Sequence, residues 1–414
     1  MTELTEFSRK YEEFKSRNLT LNLVRGKPGK DQIQLSNDLD GVLEGNYFSR
    51  DGTDTRNYGG LWGIPEARDL GACLLGVPSE RVIAGGNSSL HLMYMALDLL
   101  AHRGLAGPPL LRNSKACGIC PVPGYDRHFS MTEYLGFKMS NVPMQVHGPD
   151  MDAIEALVQN DINTSLLWCV PRHSNPTGYT YSDETVKRIA ALPNLRRGRP
   201  ESPFYVLWDN AYAVHDFKEP TPKLANLDEL AIAQGTEDRI IQFASTSKIT
   251  FAGAGVGFIG SSSTLLADFE RHIGMRTVGF DKVNQLRQAR FLQNGKGLQA
   301  HMKRQAAIIG PKFEIVQQVL TQELGNLDPQ IASWTEPTGG YFISLNVPKG
   351  NAKRVVEVAK EAGLALTPAG ATFPYGRDPD DANIRIAPTY ASVDEVKIAM
   401  ELLTTCVRLV HAST

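Results

Sequence analysis

The sequence is short of three things: cysteine, an excess of either charge, and long apolar runs. Its 414 residues include five cysteines, and 43 lysines and arginines nearly balance 45 aspartates and glutamates, for a net charge of −2. So few cysteines, odd in number, indicate a reducing, cytoplasmic setting. The balanced charge argues against nucleic acid or an anionic membrane as a partner. No apolar run approaches the ~18 residues of a membrane helix, and residues 1–10 lack the apolar core of a secretory signal.

Cys117 and Cys120 form a lone Cys-x-x-Cys pair. A zinc site of this kind usually needs a second such pair or a histidine pair nearby. We therefore predict structural thiols here and no metal site, with a redox pair as the alternative.

The most informative stretch is Ser-Thr-Ser-Lys at 245–248, between a strand-like run at 239–244 and a glycine-rich run at 252–257. A lysine held among small hydroxyl residues after a buried strand can be desolvated. Desolvation disfavours the ammonium form and leaves the amine available as a nucleophile. The pattern favours Lys248 as a Schiff-base lysine; a solvated surface lysine is the alternative.

A second strand-like run, 204–208, ends at Asp209, and Tyr212 follows three residues later. A carboxylate at the end of a buried strand can pair with the protonated nitrogen of a pyridine ring, and the phenol can donate to an oxygen on that ring. The alternative is that Asp209 is only the N-cap of a helix.

Two more strands lead into turns with possible ligand contacts. Asn-Pro-Thr-Gly at 175–178 follows the strand-like run 165–170, at the end of the strand where open α/β sheets bind ligands. Gly-Gly at 85–86, then Ser88 and Ser89, opens a helix whose free N–H groups would suit a phosphate. A surface loop and an ordinary capped turn are the respective alternatives.

Between residues 61 and about 285, strand-like runs alternate with helical stretches, the pattern of a mostly parallel sheet. Apolar spacing predicts a first helix over 2–17 and a single long helix from 281 through about 323. The strand-like and helical stretches that follow suit a smaller α+β domain.

Together, the four motifs resemble in order those of the class I aminotransferases, enzymes that use pyridoxal 5′-phosphate (PLP). Three further segments extend the likeness, which runs from about residue 20 to the C-terminus: Tyr58-Gly59-Gly60, Pro123-Gly124-Tyr125 and Asn383-Ile384-Arg385. One departure is Val256, where most of the family has a phosphate-binding arginine. The run 246–257, which contains Val256, and the segment 279–287 both resemble the aspartate aminotransferases of subgroup Ic.

The resemblance implies an α/β protein with the PLP-dependent transferase fold type I, in which helices flank a mostly parallel central sheet beside a smaller α+β domain. We expect residues 1–50 to form an N-terminal helix and active-site segment that packs with the small domain. Residues 51–285 would form the large PLP-binding domain and 286–414 the small one. The family also implies a homodimer with shared active sites.

The resemblance further implies roles for single residues. Lys248 would be the catalytic lysine that binds the cofactor covalently and moves the substrate proton. The expected cofactor-binding residues within the chain are Ser88, Ser89, Tyr125 (stacked on the ring), Asn175, Asp209, Tyr212, Ser245 and Ser247. Tyr58 and Lys282 would reach the phosphate from the partner subunit, in compensation for the missing arginine.

Arg385 would bind the α-carboxylate of the substrate bidentately. A dicarboxylic substrate needs a second cation, for which Arg127 and Arg25 are the candidates. Subgroup Ic favours transamination between aspartate and 2-oxoglutarate. The alternatives are an aromatic or kynurenine aminotransferase, a PLP carbon–sulfur lyase, or the ligand-sensing module of a transcription regulator.

Overall fold

The computed structural model describes residues 3–293 and 295–413. Thirteen α-helices lie in these ranges: α1 Glu3–Ser16, α2 Lys30–Gln34, α3 Pro65–Leu75, α4 Ser89–His102, α5 Asp126–Tyr134, α6 Met151–Asn160, α7 Asp183–Ala191, α8 Leu227–Gln234, α9 Ser263–Ile273, α10 Lys282–Leu292, α11 Lys296–Leu324, α12 Ala352–Glu361 and α13 Val393–Ala412. The strands there are β1 Leu21–Asn22, β2 Val82–Gly85, β3 Cys117–Val122, β4 Lys138–Gln145, β5 Gly148–Pro149, β6 Thr164–Cys169, β7 Tyr205–Asp209, β8 Ile240–Ser245, β9 Gly257–Gly260, β10 Ser333–Trp334, β11 Ile343–Asn346, β12 Leu364–Ala365 and β13 Asn383–Ile386.

The largest sheet has eight strands in the order β2-β9-β8-β7-β6-β3-β4-β5. The five strands from β8 to β4 pair in parallel, and β2, β9 and β5 join antiparallel. The predicted α/β fold with a mostly parallel central sheet is confirmed. Because β3, β6, β7 and β8 run in one direction, their carboxyl ends meet at one edge, where open α/β sheets bind ligands.

Both faces of this sheet are covered. Along β6, Leu166 and Trp168 pack into a core that includes α4 and α9, whereas Leu167 and Cys169 pack into a second core that includes α6 and α7. Successive strand residues point to opposite faces, so an unbroken apolar run is what a strand covered on both sides requires.

The first helix packs against the C-terminal part of the chain. The Arg408 guanidinium lies 4.1 Å from the centre of the Phe7 ring, and the Tyr11 hydroxyl donates to the carbonyl of Val358. Strand β1 also pairs with β12, and β10, β11 and β13 form a three-stranded sheet. These contacts place residues near the N-terminus with the C-terminal elements; the division at residues 50 and 285 stays a prediction.

The prediction of one helix from 281 to about 323 is wrong. Helix α10 ends at Leu292 and α11 begins at Lys296. Gln293 and Gly295 have φ angles of 46° and 88°, in the left-handed region that ends a helix. The glycine that follows the apolar pattern was the signal for this break.

Within the described residues, no helix combines the length and apolar character needed to cross a membrane. The five cysteines are all free, so Cys117 and Cys120 form no disulfide, and both are buried in β3. No group of three or more metal-binding side chains occurs in the described part of the chain.

Candidate active site

A cavity of about 160 Å³ lies at the carboxyl edge of the sheet. Nine residues predicted from the sequence contribute to its wall, together with four apolar ones. The wall consists of Ser88, Ser89, Leu90, Met93, Tyr125, Val170, Asn175, Asp209, Ala211, Tyr212, Ser245, Ser247 and Lys248. Topology explains this convergence, since β3, β6, β7 and β8 each deliver the residues that follow them to the same edge.

Asp209 is the last residue of β7, and only 2% of its surface is exposed. Its Oδ2 lies 3.0 Å from Nε2 of His128. Its Oδ1 has no hydrogen-bond partner within the described residues. A buried carboxylate oxygen without a partner is costly, so its place in the wall of the cavity suits a ligand that carries a hydrogen-bond donor.

The histidine that holds Asp209 was missed in the sequence. His128 lies in the first turn of α5 and stacks on Trp168 with a centroid distance of 4.1 Å and an angle of 8° between the rings. Trp168 in turn donates to Thr132 over 2.8 Å. The one available signal was spacing, because position 128 follows Tyr125 by three residues at the start of a helix.

Lys248 follows β8, and its amine lies 5.0 Å from the centre of the Tyr212 ring. Burial lowers the pKa of Lys248 below its usual value, while the nearby Asp209 charge opposes that shift. The backbone carbonyl of Lys248 accepts hydrogen bonds from the Tyr341 hydroxyl (3.2 Å) and from His215 Nε2 (3.3 Å). The lysine therefore has a fixed backbone and an amine biased toward its nucleophilic form.

Burial also acts on the aromatic residues around this lysine. Desolvation, and then the Lys248 charge, lowers the pKa of His215 to about 3. Burial raises the pKa of Tyr212 well above its ordinary value, so its hydroxyl keeps its proton and can donate it in a hydrogen bond.

Serine side chains from two segments contribute to the wall of the cavity. Ser88 precedes α4, and its side chain makes no capping hydrogen bond to that helix. The glycines after the lysine permit close packing here: a Cβ at Gly255 would lie 2.8 Å from Ser247 Oγ, and one at Gly257 would lie 2.7 Å from the Ser88 carbonyl. Val256, the position of the missing arginine, is 2% exposed and belongs to the apolar core.

The Asn175 loop is fixed from behind by an acidic residue. Asp216 accepts from Arg172 at 2.8 Å and pairs with His173 Nε2 at 2.7 Å. These contacts join the segment after β6 to the segment after β7. They hold Asn175 in place, with its Oδ1 accepting from Arg385 over 3.3 Å.

Arg385, on β13, lies next to the cavity and is not part of its wall. Its side chain is 3% exposed, and its Nη1 pairs with Asp126 Oδ1 at 2.9 Å. Its Nε and Nη2 donate to the Thr367 hydroxyl over 3.3 and 3.2 Å. The structure thus brings this arginine from the C-terminal part of the chain to the residues of the sheet edge.

The two arginines predicted to bind a distal carboxylate belong to different segments of the chain. Arg127 is exposed and lines a second cavity of about 490 Å³, which shares Ser88 and Leu90 with the first. Arg25 is exposed and follows Val24, whose carbonyl accepts from the Thr367 hydroxyl beneath Arg385. Arg127 thus borders a cavity that adjoins the first one, whereas Arg25 is connected to the site, within the described residues, only through the backbone of Val24.

Tyr58 and Lys282 lie outside the wall of the cavity of their own chain. Tyr58 is 84% exposed. The Lys282 amine donates to the carbonyls of Asn57 and Gly59 over 2.7 and 2.6 Å. Within one chain, then, Lys282 fixes the segment that presents Tyr58; the role of both residues in a partner's site stays a prediction.

Residues 2–414 match the protein family described as aspartate amino-transferase. A Mycolicibacterium smegmatis protein described as an aminotransferase is 47% identical over 97% of this chain and 93% of its own length. An aspartate aminotransferase of Corynebacterium glutamicum is 44% identical over 98% of this chain and 93% of its own length.

The crystal structure of an aspartate transaminase from C. glutamicum superposes with a TM-score of 0.93 at 44% identity, covering 99% of this chain and 96% of that one. The α-aminoadipate aminotransferase of Thermus thermophilus superposes with a TM-score of 0.77 at 20% identity, over 99% of this chain and 96% of that one, which is a likeness of fold alone.

The fold is that of the fold type I aminotransferases. This chain belongs to the aspartate aminotransferase family. The resemblance inferred from the motifs is thereby confirmed.

Proposed function

We propose that the protein is a PLP-dependent aspartate aminotransferase that exchanges amino groups between aspartate and 2-oxoglutarate. One observation carries the proposal. Among the described residues, the buried Oδ1 of Asp209 has no hydrogen-bond partner, and Asp209 lines the same cavity as a lysine whose pKa is lowered by burial. This pair of groups suits a cofactor that has a protonated ring nitrogen at one point and an electrophilic carbon at another.

The residues of the wall fit PLP. Asp209 would pair with its ring nitrogen, Tyr125 would cover the ring, and Asn175 and Tyr212 would contact its phenolic oxygen. Ser88, Ser89, Ser245 and Ser247 would hold the phosphate at the start of α4. When bound, PLP supplies an electrophilic aldehyde carbon and a cationic ring that accepts the electron pair released when a Cα–H bond breaks.

The side chains have distinct tasks in this scheme. Lys248 would serve as general base and then general acid: its unprotonated amine would take the proton from the substrate Cα and hold it for return. Asp209 keeps the ring nitrogen protonated, and His128 keeps Asp209 in place. Arg385 holds the α-carboxylate, which fixes the Cα–H bond within reach of the lysine.

The preferred substrate is supported by the C. glutamicum relative, an aspartate aminotransferase at 44% identity, and by Arg127, a cation that lines the adjoining cavity of about 490 Å³. The test is to supply 2-oxoglutarate with aspartate, an aromatic amino acid or kynurenine, and to supply cystathionine alone. We expect aspartate to be converted to oxaloacetate with a higher kcat/KM than any of the other amino acids tested. Faster turnover of an aromatic amino acid or kynurenine, or cleavage of cystathionine, would favour the alternative activities instead.

We also propose a homodimer in which Tyr58 of each chain completes the site of the other. The exposure of Tyr58 and the two hydrogen bonds that Lys282 makes to its segment support this assembly. A reducing, cytoplasmic location is part of the proposal as well and is supported by the five free cysteines. Sedimentation and the loss of activity in Tyr58→Phe test the assembly.

A further inference from the structure

A carboxylate of the protein itself, that of Asp126, contacts Arg385 where the α-carboxylate of the substrate should bind. Asp126 is the first residue of α5, directly after Tyr125. Its Oδ1 lies 2.9 Å from Nη1 of Arg385, and the two side chains are 23% and 3% exposed. An arginine this deeply buried needs a counterion, and Asp126 supplies it when no substrate is present.

Each of the other nitrogens of Arg385 also has a partner. Nη1 reaches Asn175 Oδ1 at 3.3 Å, while Nε and Nη2 share the single hydroxyl of Thr367 at 3.3 and 3.2 Å. Two parallel N–H groups that meet one neutral oxygen are poorly matched, because a guanidinium fork fits the two oxygens of a carboxylate. A carboxylate that binds Arg385 with both of its oxygens must therefore displace a contact to a residue of the protein.

Of the three hydrogen-bonding partners of Arg385, Asp126 can give up its contact with that arginine at the lowest cost in free energy. It is more exposed than the arginine, so its carboxylate can turn toward water. It also belongs to the first turn of a nine-residue helix, where the helix dipole favours a negative charge whether or not Arg385 is its partner. Asn175 and Thr367, in contrast, are buried, and each is fixed in a loop.

Resting on the function proposed above, we propose that Asp126 is a substrate-displaced counterion: it neutralises Arg385 in the free enzyme and yields that arginine to the α-carboxylate of the amino acid. Asp126 thereby makes every carboxylate ligand compete with a carboxylate of the protein. It is a positioning residue that tunes affinity, and it takes no part in bond making.

Binding of succinate to the PLP-loaded enzyme, measured by calorimetry, tests this displacement, since succinate has two carboxylates and no group that reacts. Asp126→Asn keeps the size and removes the charge that competes. We expect its Kd for succinate to fall about tenfold, because separating a partly exposed ion pair costs on the order of one decade in an equilibrium constant. Asp126→Ala should bind at least as tightly as Asp126→Asn, and KM should fall for both aspartate and alanine.

The matched control is Glu133→Gln. Glu133 lies on the same helix and is exposed. Glu133→Gln changes the net charge of the protein by the same amount as Asp126→Asn. It should leave the Kd unchanged. Unchanged or weaker succinate binding in Asp126→Asn and Asp126→Ala would overturn the proposal and assign Asp126 a purely structural role, since a structural brace would misplace Arg385 when removed.

A thermal readout adds an independent check. Without succinate, Asp126→Asn should melt at a lower temperature than the wild type, because Arg385 loses its counterion. With saturating succinate, its melting temperature should rise by more than that of the wild type. An equal or smaller rise contradicts the displacement.

Arg385→Leu separates this inference from the proposed function. If Arg385→Leu binds succinate as the wild type does, the assignment of Arg385 to the α-carboxylate fails, and the inference fails with it. If Arg385→Leu loses binding while the Asp126 variants show no tightening, the proposed function stands and only the displacement is overturned.

Discussion

His128 Nε2 lies 3.0 Å from one oxygen of Asp209, and the other oxygen of that carboxylate has no partner within the described residues. The histidine thus fixes one half of the carboxylate and leaves the other half for the cavity. His128 is itself held by its stack on Trp168. A residue that the sequence motifs did not include therefore sets the direction in which Asp209 acts.

Replacing His128 with phenylalanine should preserve the stack on Trp168 and remove only the hydrogen bond to Asp209. A hydrogen bond to a buried charge contributes about 1.5–3 kcal/mol, so we expect kcat to fall about 10- to 100-fold with a smaller change in KM. Stopped-flow measurement of proton abstraction would locate the loss in that step. Asp209→Asn should cost more, because it removes the charge itself.

Thr132→Val is the control for this pair. It deletes the acceptor of the Trp168 N–H and leaves the bond between His128 and Asp209 in place. It should lower the melting temperature with little effect on kcat. A change confined to KM in His128→Phe would mean that the histidine has no influence on the chemistry.

The fold and most of the site could be predicted from local sequence. Buried strands that end in Asp209 or lead to Lys248 are contiguous patterns, and parallel strands bring such residues to one edge. The contacts of His128 and Asp126 could not be predicted, because they depend on how α5 is rotated against β7 and β13. That rotation is set by tertiary packing, and the periodicity of the local sequence contains no information about it. The break at Gln293 and Gly295 was missed because an apolar pattern continues on both sides.

His215 should make stability depend on pH. Its pKa is about 3 in the folded protein and ordinarily 6.5, so the unfolded chain binds a proton there that the folded chain does not. Acidification from pH 6.5 toward 3 therefore favours unfolding, and this contribution to stability is fully present above pH 6.5. Between pH 7 and 5, His215 should account for a loss of about 2 kcal/mol in the free energy of unfolding.

The variant His215→Gln tests this, because glutamine can still donate to the Lys248 carbonyl and does not titrate. Urea unfolding at pH 5 and pH 7 should show a smaller loss for the variant than for the wild type. Equal losses in the two proteins would mean that His215 is protonated in the fold or is exposed to solvent.

Arg127→Leu and Arg25→Leu should identify the distal contact. Only a dicarboxylic substrate has a distal carboxylate, so loss of its cation should penalise aspartate and spare alanine. Both arginines are exposed in the chain without substrate, so the loss should lie between that of an exposed and that of a buried ion pair, about 1–3 kcal/mol, which is roughly one to two decades in kcat/KM. Steady-state kinetics with both amino acids would give the pattern.

Arg385→Leu is the reference, because it should penalise both amino acids alike. Equal losses for aspartate and alanine in Arg127→Leu, with no selective loss in Arg25→Leu, would contradict a dicarboxylic substrate bound by either arginine.

The central claim is that Lys248 holds the cofactor, and borohydride reduction of the PLP-loaded protein followed by peptide mapping tests it most directly. The amine of Lys248 lines the cavity, and burial lowers its pKa, so it should be the lysine that is modified. The label should lie on the peptide containing Lys248, and Lys248→Ala should take up no label and lose nearly all transamination. A label on any other lysine, or substantial transamination by Lys248→Ala, would contradict the account.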